Sequence, residues 1–358
     1  VAVNVKITNL PPAVTPTGTE VLALVQSGVT SKNAVNTLLA APGGAGWVGN
    51  TPAGTVAATT VQAAINELDT EKASLAALAA SGGSSLVGFL QAGSGAVVRT
   101  AQSKMRDVVS VKDFGAVGDG VADDTVAIQA AIATGAPIID LAGRSYLLNT
   151  KLAFSVAGQT FRDGTFIFNG DNTTRIGDIT ANDVTFINVT FDGNDKQPRS
   201  AAVWVNDNVE RPKFHSCTFK DLTGRNHGTS ALNGMYAVLI SPYGVQNFEF
   251  RDCLFQNLRK FNDGVNTIPV VPAFVGGGFV GGISFLPENL NPGSTAQTVV
   301  TQGTIEGCTF DNIQTIRAAG LSVSDQIEFN DADAIRTYGD ANTPELFVYV
   351  SDCIFKRI

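Results

Sequence analysis

From about residue 160 onward, apolar and polar positions alternate with period two in short runs, as strands with one buried face do. One six-residue phrase organises these runs. It reads FINVTF at 186–191, FHSCTF at 214–219, FRDCLF at 250–255, IEGCTF at 305–310 and VSDCIF at 350–355, with a weaker copy, FRDGTF, at 161–166. The first position is apolar (Phe186, Phe214, Phe250, Ile305, Val350), the fourth is small and apolar, and the sixth is always Phe. The third is a turn former: Asn188, Ser216, Asp252, Gly307, Asp352. Gly, Asn and Asp tolerate the left-handed backbone conformation better than other residues. Each copy therefore predicts a strand, a one-residue bend and a second strand. Counted on the fourth position, the five full copies recur after 28, 36, 55 and 45 residues. Constant rungs with unequal spacers predict stacked coils whose insertions loop out at the corners, a parallel β-helix. The longest step holds NDGVNTIPVVPAFVGGGFVGGISFLPENLNPGS, expected to loop out as one Gly/Pro-rich excursion.

A solenoid exposes an edge at each end and needs caps. VSVKDFGAVGDGVADDTVAIQAAIATG at 109–135 predicts a strand, a Gly-rich turn and a cap helix at about 122–134. Asp123 or Asp124 is its N-cap, and Val126, Ile128, Ala131 and Ile132 form its apolar face. No second cap is legible after the last copy, so the β-helix of 109–358 is expected to continue or to be covered by a partner.

Residues 1–108 follow other rules. TGTEVLALVQSGVTSKNAVNTLLA at 17–40 reads as a strand, a Ser-Gly turn and a second strand or helix start. Residues 41–59 resemble a linker. In 59–80, Val61, Ile65, Leu68, Lys72, Leu75 and Ala79 fall at steps of four and three, which predicts a coiled-coil stripe of roughly three heptads. Three regions follow: 1–58, a helical neck and connector at 59–108, and the β-helix from 109.

Composition narrows the function. Charged residues make up only 16% of the chain, against about 25% in an average globular protein. The net charge is −8 and no Lys/Arg cluster forms a phosphate-tracking face, so nucleic acid is not an expected partner. No run of 18 apolar residues predicts a membrane span, and the first residues lack a signal peptide's basic and apolar regions. The absence of an initial Met before Val1 fits removal of a start Met, synthesis in the cytoplasm and release by lysis. Cys217, Cys253, Cys308 and Cys353 each hold the fourth phrase position and are expected to stack as buried thiols rather than as disulfides or metal ligands.

Glycoside hydrolysis usually needs two carboxylates about 5–10 Å apart, a spacing that outward positions on neighbouring coils offer. The catalytic candidates are Asp192 and Asp195 in FDGNDK and Glu249 in FEF, with Asp221 beside them. Their bland readings are Gly-Asn turn residues for Asp192 and Asp195 and a solvent-facing strand residue for Glu249. GDGVADD at 118–124 gathers three Asp but lacks the EF-hand spacing and reads as turn plus helix cap. RNHGTS at 225–230 places His227 beside a Gly as in polygalacturonases, without their paired-Asp and Arg-x-Lys strings. Trp204, Tyr236 and Tyr243 are the sugar-platform candidates, with core packing as the alternative. No cofactor or metal is expected.

GSSLVGFLQAGSGAVVRTAQSKMRDVVSVKDFGAVGDGVADDTVAIQAAI at 83–132 resembles the neck and lead-in segment of tailed-phage tailspikes and capsule depolymerases. TGTEVLALVQSGVT and TVQAAINELDTEKA resemble virion-attachment modules of phage tail fibres. Beyond about residue 145 the resemblance is the general one to pectate-lyase-like β-helices. It implies a right-handed parallel β-helix in a homotrimer, with the N-terminal region bound to phage tail proteins and the β-helix bound to bacterial surface polysaccharide. The virion tail would be its location. Three alternatives stay open: a polysaccharide depolymerase with its site in 190–330, a non-catalytic adaptor fibre, and a stand-alone pectinase-like enzyme.

Overall fold

In the computed structural model of the chain, the structure describes residues 21–26, 29–34, 49, 51–52, 56–72, 75–171, 173–196, 198, 201–225, 235–262, 280–285, 301–317, 332–337 and 346–358. Two compact units are formed, Val1–Gln102 and Ser103–Ile358.

The second unit is a parallel β-helix, and the repeated phrase is its rung. Phe161, Phe186, Phe214, Phe250, Ile305 and Val350 stand in parallel register, one above the next. So do Phe166, Phe191, Phe219, Phe255, Phe310 and Phe355. These columns belong to two ladders, here called first and second, joined by the bend. At the bend, Asp163, Asn188, Ser216, Asp252, Gly307 and Asp352 all have φ between 52° and 64°. The turn formers are thus selected by a left-handed conformation that costs most residues about 1–2 kcal/mol. The bend amides also hold the coils together. Ser216 N–H donates to the Arg251 carbonyl, Asp252 N–H to Glu306 and Gly307 N–H to Ser351, at 2.8–3.1 Å. The weak copy at 161–166 is a full rung.

A third ladder closes each coil. Its parallel strands are Leu152–Phe154, Gly177–Ile179, Ala201–Val205, Met235–Ile240, Val280–Phe285 and Ala332–Thr337. Val280–Phe285 lies inside the expected Gly/Pro-rich excursion. That stretch is therefore not one loop: GGISF returns to the wall, and Gly282 is required because a Cβ there would lie 2.6 Å from the Phe310 ring. The lumen is filled by aromatic rings. Phe191 and Phe219 stack at 4.7 Å and Phe255 and Phe310 at 4.6 Å, each pair 5° from parallel.

The four Cys are free, with Cys217, Cys253 and Cys308 buried and Cys353 partly so. Their Sγ atoms lie near backbone carbonyls, as with Cys253 Sγ at 3.2 Å from the Phe214 oxygen. Burial lifts the Cys253 thiol well above its ordinary pKa, and its neighbour Cys253 together with burial does the same to Cys308.

The cap helix spans Thr125–Ala133 and is preceded by the strand Asp119–Asp123. Ile128, Ala131 and Ile132 are fully buried, but Val126 is 81% exposed and is not part of the apolar face. The two Asp divide the expected role. Asp123 Oδ1 accepts from Thr125 N–H at the helix start. Asp124 instead accepts from Val117 and Gly118 N–H, pinning the Gly-rich turn. The helix also completes the third ladder's first edge: Gln129 Oε1 accepts from Ala153 N–H and its Nε2 donates to the Ala153 carbonyl.

In the first unit, Val21–Gln26 pairs antiparallel with Val29–Ala34; the first is the expected strand, and the second takes the strand alternative. The heptad stripe is not one helix. Val61–Glu71 is capped by Thr60 and ends at Lys72 in extended conformation, and Leu75–Ala79 is a separate short helix. Ile65 and Leu68 are about half exposed. Among the described residues no helix is long and apolar enough to cross a membrane.

Candidate functional site: the outer face of the first ladder

The candidate carboxylates fall on two faces. Asp192 and Asp221 lie on the second ladder and share Lys220, whose Nζ is 2.7 Å from Asp192 and 3.0 Å from Asp221. Asp192 Oδ1 also accepts from Asn194 N–H, the local turn bond expected of it. Burial would raise the Asp221 pKa, but Asn257 and Lys220 outweigh it and hold the group below the ordinary carboxylate range. Asn257 donates to Asp221, and Asn312 to Asn257, so Asp221 is the first member of an amide ladder along the coils. Asp195, 68% exposed, pairs with Arg259 at 3.1 Å. Among the described carboxylates with displaced titration (Asp119, Asp123, Asp171, Asp183, Asp221), every displacement is downward. A general acid at neutral pH requires the opposite.

Glu249 lies on the first ladder, and it is not a freely solvated strand residue. Its side chain is 16% exposed, with Arg251 at 2.6 Å, His215 at 3.3 Å and Lys213 at 3.6 Å. Arg251 reaches on to Glu306 at 3.7 Å.

Of the aromatic candidates, Tyr236 is buried in a small cluster with Ala201 and Leu239, against which Trp204 packs. Arg175 lies 4.8 Å over the Trp204 ring and pairs with Asp178. Tyr243 is partly buried. His227 lies outside the described residues. No group of His, Cys, Asp or Glu able to hold a metal occurs among the described residues.

The exposed platforms are elsewhere. Phe347 is 57% exposed and Tyr349 67% exposed. They alternate with Leu346, Val348 and Val350, which follow the inward positions of the same strand. In register, Gln302 stands beside Phe347, and Glu249, Thr304 and Tyr349 form one outward row across three coils. Asn247, Gln302, Thr304, Phe347 and Tyr349 line an open groove of about 510 Å3. Its floor is shaped by Gly303, where a Cβ would lie 2.4 Å from the Phe248 ring in the lumen. Two exposed rings beside two side-chain amides and a hydroxyl make a surface suited to sugar rings, whose faces are apolar and whose edges donate and accept hydrogen bonds.

Comparison with known proteins agrees with the sequence resemblance. A family model described as rhamnogalacturonase A/epimerase, pectate lyase-like, matches residues 108–139, the capped start of the β-helix. Over 68 residues the chain is 47% identical to the tail spike protein of an Escherichia phage. The resemblance is to phage tail spikes. That match covers 19% of this chain and 8% of the phage protein, so it spans less than a tenth of the relative's length. Among solved structures, the tailspike of E. coli bacteriophage HK620, in complex with a hexasaccharide, is 13% identical. That alignment covers 78% of this chain and 56% of the other, with a TM-score of 0.40. Tailspike protein 3 of bacteriophage CBA120 is 13% identical over 80% of this chain and 68% of the other, with a TM-score of 0.28.

Proposed function

We propose that this chain is a subunit of a phage tail spike that recognises bacterial surface polysaccharide on the outer face of its β-helix. The observation that carries this reading is the Phe347–Tyr349 groove, where solvent-facing aromatic rings stand beside Asn247, Gln302 and Thr304. Exposed aromatic rings beside side-chain amides and a hydroxyl can stack on the apolar faces of sugars and hydrogen-bond their edges. On this reading, residues 1–58 dock on the virion tail, 59–108 connect, and 109–358 present the glycan surface. A homotrimer is part of this proposal. Within the first unit Leu86, Leu90, Val97 and Val98 are 56–76% exposed, and such apolar surface favours association with further copies.

Two measurements test the reading. Purified bacterial surface polysaccharides are offered to the immobilised full chain, and binding that is lost in Tyr349→Ala is the expected result. Light scattering is expected to give about three times the 37.3 kDa chain mass. A monomer, or a chain that binds no polysaccharide, would count against the spike.

A further inference from the structure

Resting on that reading, we infer that the groove takes an uncharged polysaccharide and excludes acidic ones. Among the described residues, the charges bordering it are already matched to one another. Glu249 is engaged by Arg251, His215 and Lys213, and Arg251 also faces Glu306. The formal charges of Lys213, Arg251, Glu249 and Glu306 cancel. A carboxylate on an incoming glycan would have to take Arg251 or Lys213 from Glu249 and strand that carboxylate, which is largely shielded from water. Glu249 is 16% exposed, so water repays its loss only in part, while the half-exposed Arg251 keeps the cost near that of a surface pair. It would also approach a chain of net charge −8.

Among the described residues, the groups left free to bind in the groove are uncharged. Asn247 and Gln302 each carry a donor and an acceptor on one amide, and the Thr304 hydroxyl is both. Sugar hydroxyls are likewise both. Register sets these groups as two adjacent subsites, Phe347 with Gln302 and Tyr349 with Thr304. Alternate residues on a strand are about 7 Å apart, so the two rings can face successive sugars of a chain laid along the strand.

The test uses the full chain and a set of purified bacterial surface polysaccharides, some neutral and some bearing uronate or sialate, each measured at low and high salt. The expected result is binding of neutral members only, changing less than about twofold with salt because no ion pair forms across the interface. Gln302→Ala and Tyr349→Ala are each expected to weaken it at least about fivefold, the loss of one hydrogen bond or stacking contact. Both positions face outward, and circular dichroism of the variants confirms folding. Binding of an acidic member with strong salt dependence would overturn this inference and leave the polysaccharide reading standing. Binding unaltered by either substitution would overturn the groove as the site. If no member binds, the proposed function itself falls.

Discussion

The rings of Phe219 and Phe255 lie 4.9 Å apart and 5° from parallel, one coil above the other. Both are fully buried. Stacks of this kind couple adjacent coils, because a gap left by one ring cannot be filled without moving the ring above and the ring below. Phe219→Ala is expected to destabilise the β-helix by about 3–5 kcal/mol. Phe355→Ala should cost far less, because Phe355 is 52% exposed and, among the described residues, stacks on Phe310 alone. Chemical denaturation of the two variants measures the difference.

Ser216 is the exception among the bend residues, because Asn, Asp or Gly occupies the others while its φ is 52°. Its side chain is exposed, so substitutions there act through the backbone. Ser216→Gly should hold or raise stability, and Ser216→Val should lower it by about 1–2 kcal/mol. Equal midpoints for the two variants in urea would refute the backbone account.

Asp221 links the amide ladder to acid stability. Its folded pKa lies below the unfolded value of about 3.9. Its contribution is therefore complete above the unfolded pKa and is lost as pH falls through the lower folded value. Asp221→Asn removes the charge and keeps an acceptor for Asn257. This variant should show a weaker loss of stability as pH falls below about 4 than the parent. Parallel acid-unfolding curves for the two proteins would show that Asp221 does not contribute.

The thiols should react in an order set by position. Cys353 is partly exposed, whereas Cys217, Cys253 and Cys308 are buried; the Cys253, Cys308 and Cys353 thiols all titrate above the ordinary value, so exposure sets the order. A chromogenic disulfide reagent at neutral pH is expected to label Cys353 first, and the other three only on unfolding. Rapid labelling of all four in the native protein would contradict a closed lumen.

Much of the fold was legible because the rung is written in local chemistry. Alternation fixes which side chains point inward, and the left-handed bend requires Asn, Asp, Gly or a tolerated Ser. The third ladder was not legible in the same way. Met235–Ile240 is buried at every residue, so no alternation marks it. Val280–Phe285 sits among glycines that read as loop. The break at Lys72 was hidden because the apolar spacing runs on through it. Trp204 and Tyr236 were singled out as aromatics in plausible strands, but exposure depends on neighbours the sequence does not name. A signal for the groove was present: Tyr349 stands just before the phrase, where the other full copies have Thr185, Lys213, Glu249 and Thr304. An aromatic in a polar column is the feature that comparison of the repeats could have found.

From the first to the sixth position of the phrase the chain takes the same number of steps in every copy, while the full coils differ by up to 30 residues in length. All of that variation falls on either side of the third ladder. Mutation in this gene therefore meets two kinds of ground. A single codon inserted between Phe250 and Phe255 would turn the following side chains to the wrong side of the wall. A dozen inserted between 225 and 235 would leave every rung in place. A β-helix built this way can remodel the surface it presents by lengthening or trading the segments beside the third ladder, without its backbone having to fold anew.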